Sequence, residues 1–195
     1  RFMSSVPKTK RKKYGQFFTN ATTAKFMASL FCFDLSKKQV EILDAGAGTG
    51  ILAAAVIQKL LELGYTGQIH VTCYEKDELV LPLLEKNMIL CNKLHNVSYT
   101  IKRENYVTSQ NFSDFTLFDN ENYQYDYIIG NPPYMKIAKD AVEALAIPEV
   151  CYGAPNLYFL FWAMGIHNLK KGQELVYIIP RSWTSGAYFS KFRKY

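Results

Sequence analysis

The 195 residues are enough for one domain with a sizeable core and too few for two. With 49% hydrophobic and 21% charged residues the composition is globular, which excludes a disordered chain. No apolar run approaches the roughly 18 residues of a membrane span, so the expectation is a cytoplasmic protein without a membrane partner.

In chain order, five basic residues crowd positions 8–13 (Lys8, Lys10, Arg11, Lys12, Lys13), and Lys191, Arg193 and Lys194 lie near the other end. They contribute to a net charge of +6, which suits a polyanionic partner without identifying one. Over residues 22–33, Phe26, Leu30 and Phe33, with Met27 and Phe31 beside them, fit a helix. Residues 40–44 are a short apolar run ending at Asp44, followed by Gly46, Gly48 and Gly50 and then a helix over 51–63. The unit recurs: a strand over 68–74 ending at Glu75, then a helix over 77–91 with Asp77 as its N-cap. A third strand covers 97–102. The polar, aromatic stretch 104–124 reads as loop with one short helix, and a fourth strand over 126–130 is broken at once by Pro132 and Pro133. A helix over 156–169, a turn at Lys171-Gly172, a fifth strand over 174–180 and the start of a helix near Thr184 complete the pattern.

Strands alternating with helices predict an α/β fold: a mostly parallel sheet covered by helices on both faces. Ligands of such sheets bind outside the carboxyl ends of the strands, at the point where strand order reverses. The motifs that follow all lie at such ends. Cys32, Cys73, Cys91 and Cys151 form no C-x-x-C pair, and His70, His95 and His167 fall at no ligand spacing, so neither a metal nor a disulfide is expected. Cys32, Cys73 and Cys151 have apolar neighbours and read as small hydrophobes.

The segment Asp44-Ala45-Gly46-Ala47-Gly48-Thr49-Gly50 lets backbone N–H groups approach a ligand closely, although a strand-to-helix turn alone would account for a glycine loop. Its spacing is G-x-G-x-G, not the G-x-G-x-x-G of pyrophosphate binders. The acid before it disfavours phosphate and favours a cationic ligand. Glu75, 25 residues after Gly50, stands where a carboxylate accepts from both ribose hydroxyls, although it also fits a solvated acid at a strand end. A cationic nucleoside with a free ribose describes S-adenosylmethionine.

Asn131-Pro132-Pro133-Tyr134 leaves the fourth strand beside that loop. Two prolines fix φ and remove two donors, which makes the corner stiff and rich in acceptors. The Asn131 side-chain oxygen and the Pro132 carbonyl can each take one hydrogen of an exocyclic amine, freeing the nitrogen lone pair to face a sulfonium methyl. Tyr134 can stack on a planar substrate. Such chemistry rests on positioning and oriented dipoles and uses no base before transfer. A plain Pro-Pro loop ending a strand is the alternative for the tetrapeptide taken alone.

With these motifs and Tyr14-Gly15-Gln16-Phe17-Phe18-Thr19, the chain resembles the gamma-class N6-adenine DNA methyltransferases of restriction-modification systems. The resemblance implies a Rossmann-like S-adenosylmethionine-dependent methyltransferase fold, with residues 1–20 as a basic, cofactor-contacting segment and 21–195 as the catalytic domain. It implies Thr19 at the methionine part of the cofactor, Asp44 and Gly46 at its methionyl end, Gly48 among the cofactor-binding residues, and Glu75 with Lys76 on the ribose. Asn131 and Pro133 would line the boundary between cofactor and substrate. The family has an acid followed by an aromatic after the third strand for the cofactor adenine, and the match here is Asn105-Tyr106. The partner implied is double-stranded DNA whose target adenine flips into the Asn131–Tyr134 pocket. The family's final edge hairpin, base-sandwiching aromatic and target-recognition domain have no counterpart, so the chain is expected to be a fragment that alone methylates DNA weakly or not at all. Two rivals share features: enzymes using the same tetrapeptide on protein glutamine or rRNA bases, and a non-catalytic nucleic-acid-binding subunit.

Overall fold

The computed structural model describes residues 19–110, 124–151 and 155–184. The basic runs at both ends and residues 14–18 of the N-terminal motif lie outside them, as do residues 111–123 of the loop expected to hold a short helix. Of the helix expected from about Thr184, Thr184 itself ends a 3-10 turn (Arg181–Thr184) and the residues after it lie outside.

Five strands, all parallel, form one sheet in the order β3-β2-β1-β4-β5. They are β1 (Gln39–Ala45), β2 (Gln68–Tyr74), β3 (Val97–Lys102), β4 (Tyr125–Gly130) and β5 (Leu169–Tyr177). The order reverses between β1 and β4, which makes that gap the switch point. β1, β2 and β4 are buried on both faces over their carboxyl halves, which is why they read as apolar runs rather than alternating ones.

One face carries α1 (Ala21–Ala28), α2 (Ile51–Glu62) and α3 (Leu81–Cys91); α5 (Leu157–Asn168) and the short α4 (Val142–Ala146) help cover the other. The α/β expectation is met. No helix among the described residues is long and apolar enough to cross a membrane.

Several boundaries differ from the sequence reading, each for a local reason. α1 stops at Ala28, and it buries Ala24, Met27 and Ala28 while Phe26 and Leu30 stay 62% and 51% exposed. Two alanines one turn apart let α1 approach α2 closely, and the large residues turn outward. Phe31, past the helix end, folds in against Tyr127 with ring centroids 5.6 Å apart. Cys32 beside it is exposed, not a core hydrophobe, while Cys73 is buried. α3 begins at Leu81 rather than Asp77. Pro82 has no N–H to continue a helix from residue 78, so Asp77 caps a separate turn through Leu79 N–H (3.0 Å). The Lys171-Gly172 turn is present as an irregularity inside β5: Tyr125 pairs Leu169 and Tyr127 pairs Glu174, and Gly172 takes φ +77°.

The amino end of the sheet is tied by charge. Asp126, 2% exposed, accepts from Lys37 Nζ (2.6 Å), Lys170 Nζ (3.1 Å) and Glu41 N–H (2.8 Å). This holds the α1–β1 linker against β4 and β5 and leaves the carboxyl end of the sheet for ligands.

Candidate active site

The pairing registers set the site. Ala45 pairs Tyr74, Asp44 pairs Ile129, and Gly130 pairs Tyr177. Carried a residue or two beyond the strands, these put Glu75, Gly46, Asn131 and Ile178 in one row across β2, β1, β4 and β5. Neighbouring strands lie about 4.8 Å apart, so the glycine loop and the proline corner leave the sheet side by side.

Gly46, Gly48 and Gly50 all have positive φ (73°, 55°, 77°). The loop is closed by Ala47 N–H donating to Tyr74 O and Gly50 N–H to Ala47 O, both at 2.8 Å. At Gly50 the glycine is required twice over, because a Cβ would also come within 2.7 Å of Leu84 Cδ1. At Gly46 a Cβ would sit 3.3 Å from the ring of Phe161. Phe161 lies on α5, where every residue from Leu157 to Phe161 is buried; so uniform an apolar run has no face to single it out in sequence.

Asp44 lies beneath the loop, fully buried. Its Oδ2 accepts from Ala53 N–H at 3.1 Å, while Oδ1 has no hydrogen-bond partner among the described residues. Burial pushes its pKa up to about 7; the Ala53 N–H opposes this and the charge of Glu75 adds to it. A buried acid with an orphaned oxygen beneath a partly exposed glycine loop is suited to a cation bound over that loop, and it opposes a phosphate. This is a fit to S-adenosylmethionine.

Glu75 is 8% exposed and holds the loop from the other side. Oε2 accepts from Gly48 N–H, and Oε1 from Lys76 N–H and Asp77 N–H, each at 2.8 Å. Burial raises its pKa and the three N–H groups pull it back. A carboxylate has about four acceptor positions, so only about one remains. Holding two ribose hydroxyls would require the Gly48 bond to open. Lys76 is exposed.

At the proline corner, Asn131 Nδ2 donates to Thr19 Oγ1 at 3.1 Å, joining the end of the N-terminal motif to the tetrapeptide across 112 positions. The Tyr134 hydroxyl lies 2.8 Å from both Asn131 Oδ1 and Ile178 O. Burial raises its pKa to about 12, so it stays protonated. Pro132 is buried and Pro133 half-buried, with Tyr134 edge-on to Tyr158 at 6.0 Å.

Asn105 and Tyr106 stand differently from the rest. Tyr106 is 2% exposed, its hydroxyl donating to Asn168 Oδ1 at 2.7 Å and its ring packed between Tyr74 and Phe161. Asn105 Oδ1 accepts from Val107 N–H (3.1 Å) and Nδ2 donates to Glu143 Oε1 (2.8 Å). Glu143, on α4, carried no signal in the sequence.

Residues 20–195 match the family model for the Eco57I restriction-modification methylase. The type II methyltransferase M.PstI of Providencia stuartii is 37% identical over 195 residues, covering 98% of this chain and 38% of that protein. The release factor glutamine methyltransferase of Fusobacterium nucleatum is 32% identical over 146 residues, covering 74% of this chain and 35% of that protein. A solved structure assigned to the class I S-adenosylmethionine-dependent methyltransferases, from Listeria monocytogenes, matches with a TM-score of 0.69 at 21% identity, over 98% of this chain and 54% of that one. The chain thus spans under two fifths of the length of the two curated relatives. The cofactor is S-adenosylmethionine. A family match over residues 20–195, nearly all of the chain, makes it a member of the Eco57I restriction-modification methylase family.

Proposed function

We propose that the whole protein methylates the N6 amine of adenine in DNA, with the target base flipped out of the duplex, as part of a restriction-modification system. What carries this reading is the row Glu75–Gly46–Asn131 at the switch point. It sets a rigid, acceptor-lined corner beside a loop suited to a cationic nucleoside. Bound there, S-adenosylmethionine supplies an electrophilic methyl group on a sulfonium.

The chain's own residues supply position. Gly46 and Gly48 present backbone, Asp44 supplies negative charge from below, and Glu75 takes the ribose with Lys76 at its exposed side. Thr19 lies at the methionine end and holds the Asn131 amide. Asn131 Oδ1 and the Pro132 carbonyl accept the two amine hydrogens, which directs the nitrogen lone pair away from the ring; Pro133 keeps the corner stiff. No base is needed before transfer, since the methylated amine loses its proton afterwards. The Tyr134 hydroxyl faces the same Asn131 oxygen, so an incoming amine takes the place of that contact while the ring turns to stack on the base.

Asn131→Ala tests the assignment. Turnover on DNA should vanish while cofactor affinity, measured by calorimetry, stays within about tenfold, because the amide acts mainly in the transition state. An active variant would remove Asn131 from the mechanism. The likeness to a glutamine methyltransferase supports a second reading, since a side-chain amide would also fit two acceptors. Labelled cofactor with DNA or with a release factor, followed by identification of the modified group, separates the two.

A further inference from the structure

We propose that Glu143 is a cofactor-binding residue, the acceptor for the exocyclic amine of the S-adenosylmethionine adenine, with Asn105 as the positioning residue that aims it. The inference rests on the cofactor placement described under Proposed function.

The sheet order runs β1, β2, β3, so Asp44, Glu75 and the loop after β3 follow one another along the carboxyl edge. A nucleoside with its charged end at β1 and its ribose at β2 presents its base to the β3 loop. Among the described residues, Asn105 and Glu143 meet there. The orientation of Asn105 follows from its partners: Val107 N–H can only donate, so Oδ1 faces it, and Nδ2 must face the Glu143 carboxylate. Asn105 thereby turns its oxygen toward its own loop, with one of two lone pairs taken by Val107, and directs its donor to Glu143. An adenine amine is itself a donor and needs an acceptor. The half-buried Glu143 carboxylate has about four acceptor positions and uses one on Asn105. Next to Asn105 in sequence, Tyr106 packs on Phe161, whose ring reaches Gly46. α4, which carries Glu143, follows the proline corner in sequence, so one carboxylate would couple base recognition in the cofactor site to the loop that holds the substrate.

The test uses the full-length protein and two ligands, S-adenosylhomocysteine and S-inosylhomocysteine, which replaces the amine with a carbonyl oxygen. Calorimetry should give the native protein a preference of about tenfold or more for the adenosyl ligand, as expected for a hydrogen bond to a charged group. Glu143→Ala should reduce that preference to within about threefold, and the isosteric Glu143→Gln should reduce it part of the way. Returning a carboxylate to the other side of the contact, in Asn105→Asp combined with Glu143→Ala, should restore it. A preference unchanged in both Glu143 variants would overturn the proposal. If Glu75→Ala abolishes binding while Glu143→Ala keeps the preference, the Glu143 assignment alone falls. If neither substitution affects either ligand, the cofactor placement itself is wrong.

Discussion

Asp44 shows how one side chain can carry a signal readable in sequence and a property that is not. An acid before a glycine loop pointed to a cation; its complete burial and its pKa of about 7 arise only when α2 and the sheet close over it. Two consequences follow at this scale. In the ligand-free protein the folded state keeps a proton that the unfolded chain releases near 3.8, so stability should fall as pH rises from about 4 to about 7. A bound cation favours the ionised form, so cofactor affinity should rise by about tenfold between pH 6 and pH 8 in excess of any dependence left in Asp44→Asn. Thermal unfolding and calorimetry across that range check both, and equal pH profiles for the native protein and Asp44→Asn would exclude the role. Glu75 behaves differently: three N–H groups engage it, and its first duty in the structure is to brace the Gly48 loop.

Elements were legible where their cause is local. β2 and β3 begin and end where apolar residues and turns place them, and α2 starts directly after the glycine loop. α1 was legible as a helix but not in its face, because the choice between Phe26 and Ala24 depends on how near α2 comes. The same closeness governs the loop: α3 packs against Gly50 through Leu84 and Met88. Gly50→Ala therefore meets a left-handed backbone penalty of about 1–2 kcal/mol and an overpacking penalty of about 1–3 kcal/mol. Denaturant unfolding should show a loss of roughly 2–5 kcal/mol, with weakened cofactor binding because the loop must shift. A loss below about 0.5 kcal/mol would mean that the turn relaxes freely.

Across the whole molecule, function depends on a division between the two ends of the sheet. The amino end is locked by Asp126, which joins Lys37 and Glu41 at the start of β1 to Lys170 on β5. Burial alone would raise its pKa, but the Lys37, Glu41 and Lys170 contacts outweigh that and hold it below the ordinary 3.8. Its contribution is therefore present above pH 3.8 and is lost as pH falls through the lowered value. Asp126→Ala should cost about 2–3 kcal/mol at neutral pH, since it removes the carboxylate that two lysines and a backbone N–H share, and the cost should shrink in acid. Chemical denaturation at pH 7 and pH 3 reads both. Cofactor affinity should change little, because the lock lies at the opposite end of the strands.

The order of the five strands and of helices α1, α2, α3 and α5, the glycine turn and the proline corner were determined by the sequence alone, because each follows from hydrophobic periodicity or from the backbone limits of glycine and proline; α4 was not. Which of those pieces become neighbours was decided by the tertiary structure. Parallel pairing of β1 with β4 brings Gly46 beside Asn131 across 85 positions, and Thr19 reaches Asn131 across 112. Asn105 met Glu143 the same way, 38 positions apart. Such contacts depend on strand register and loop closure, which no local pattern encodes.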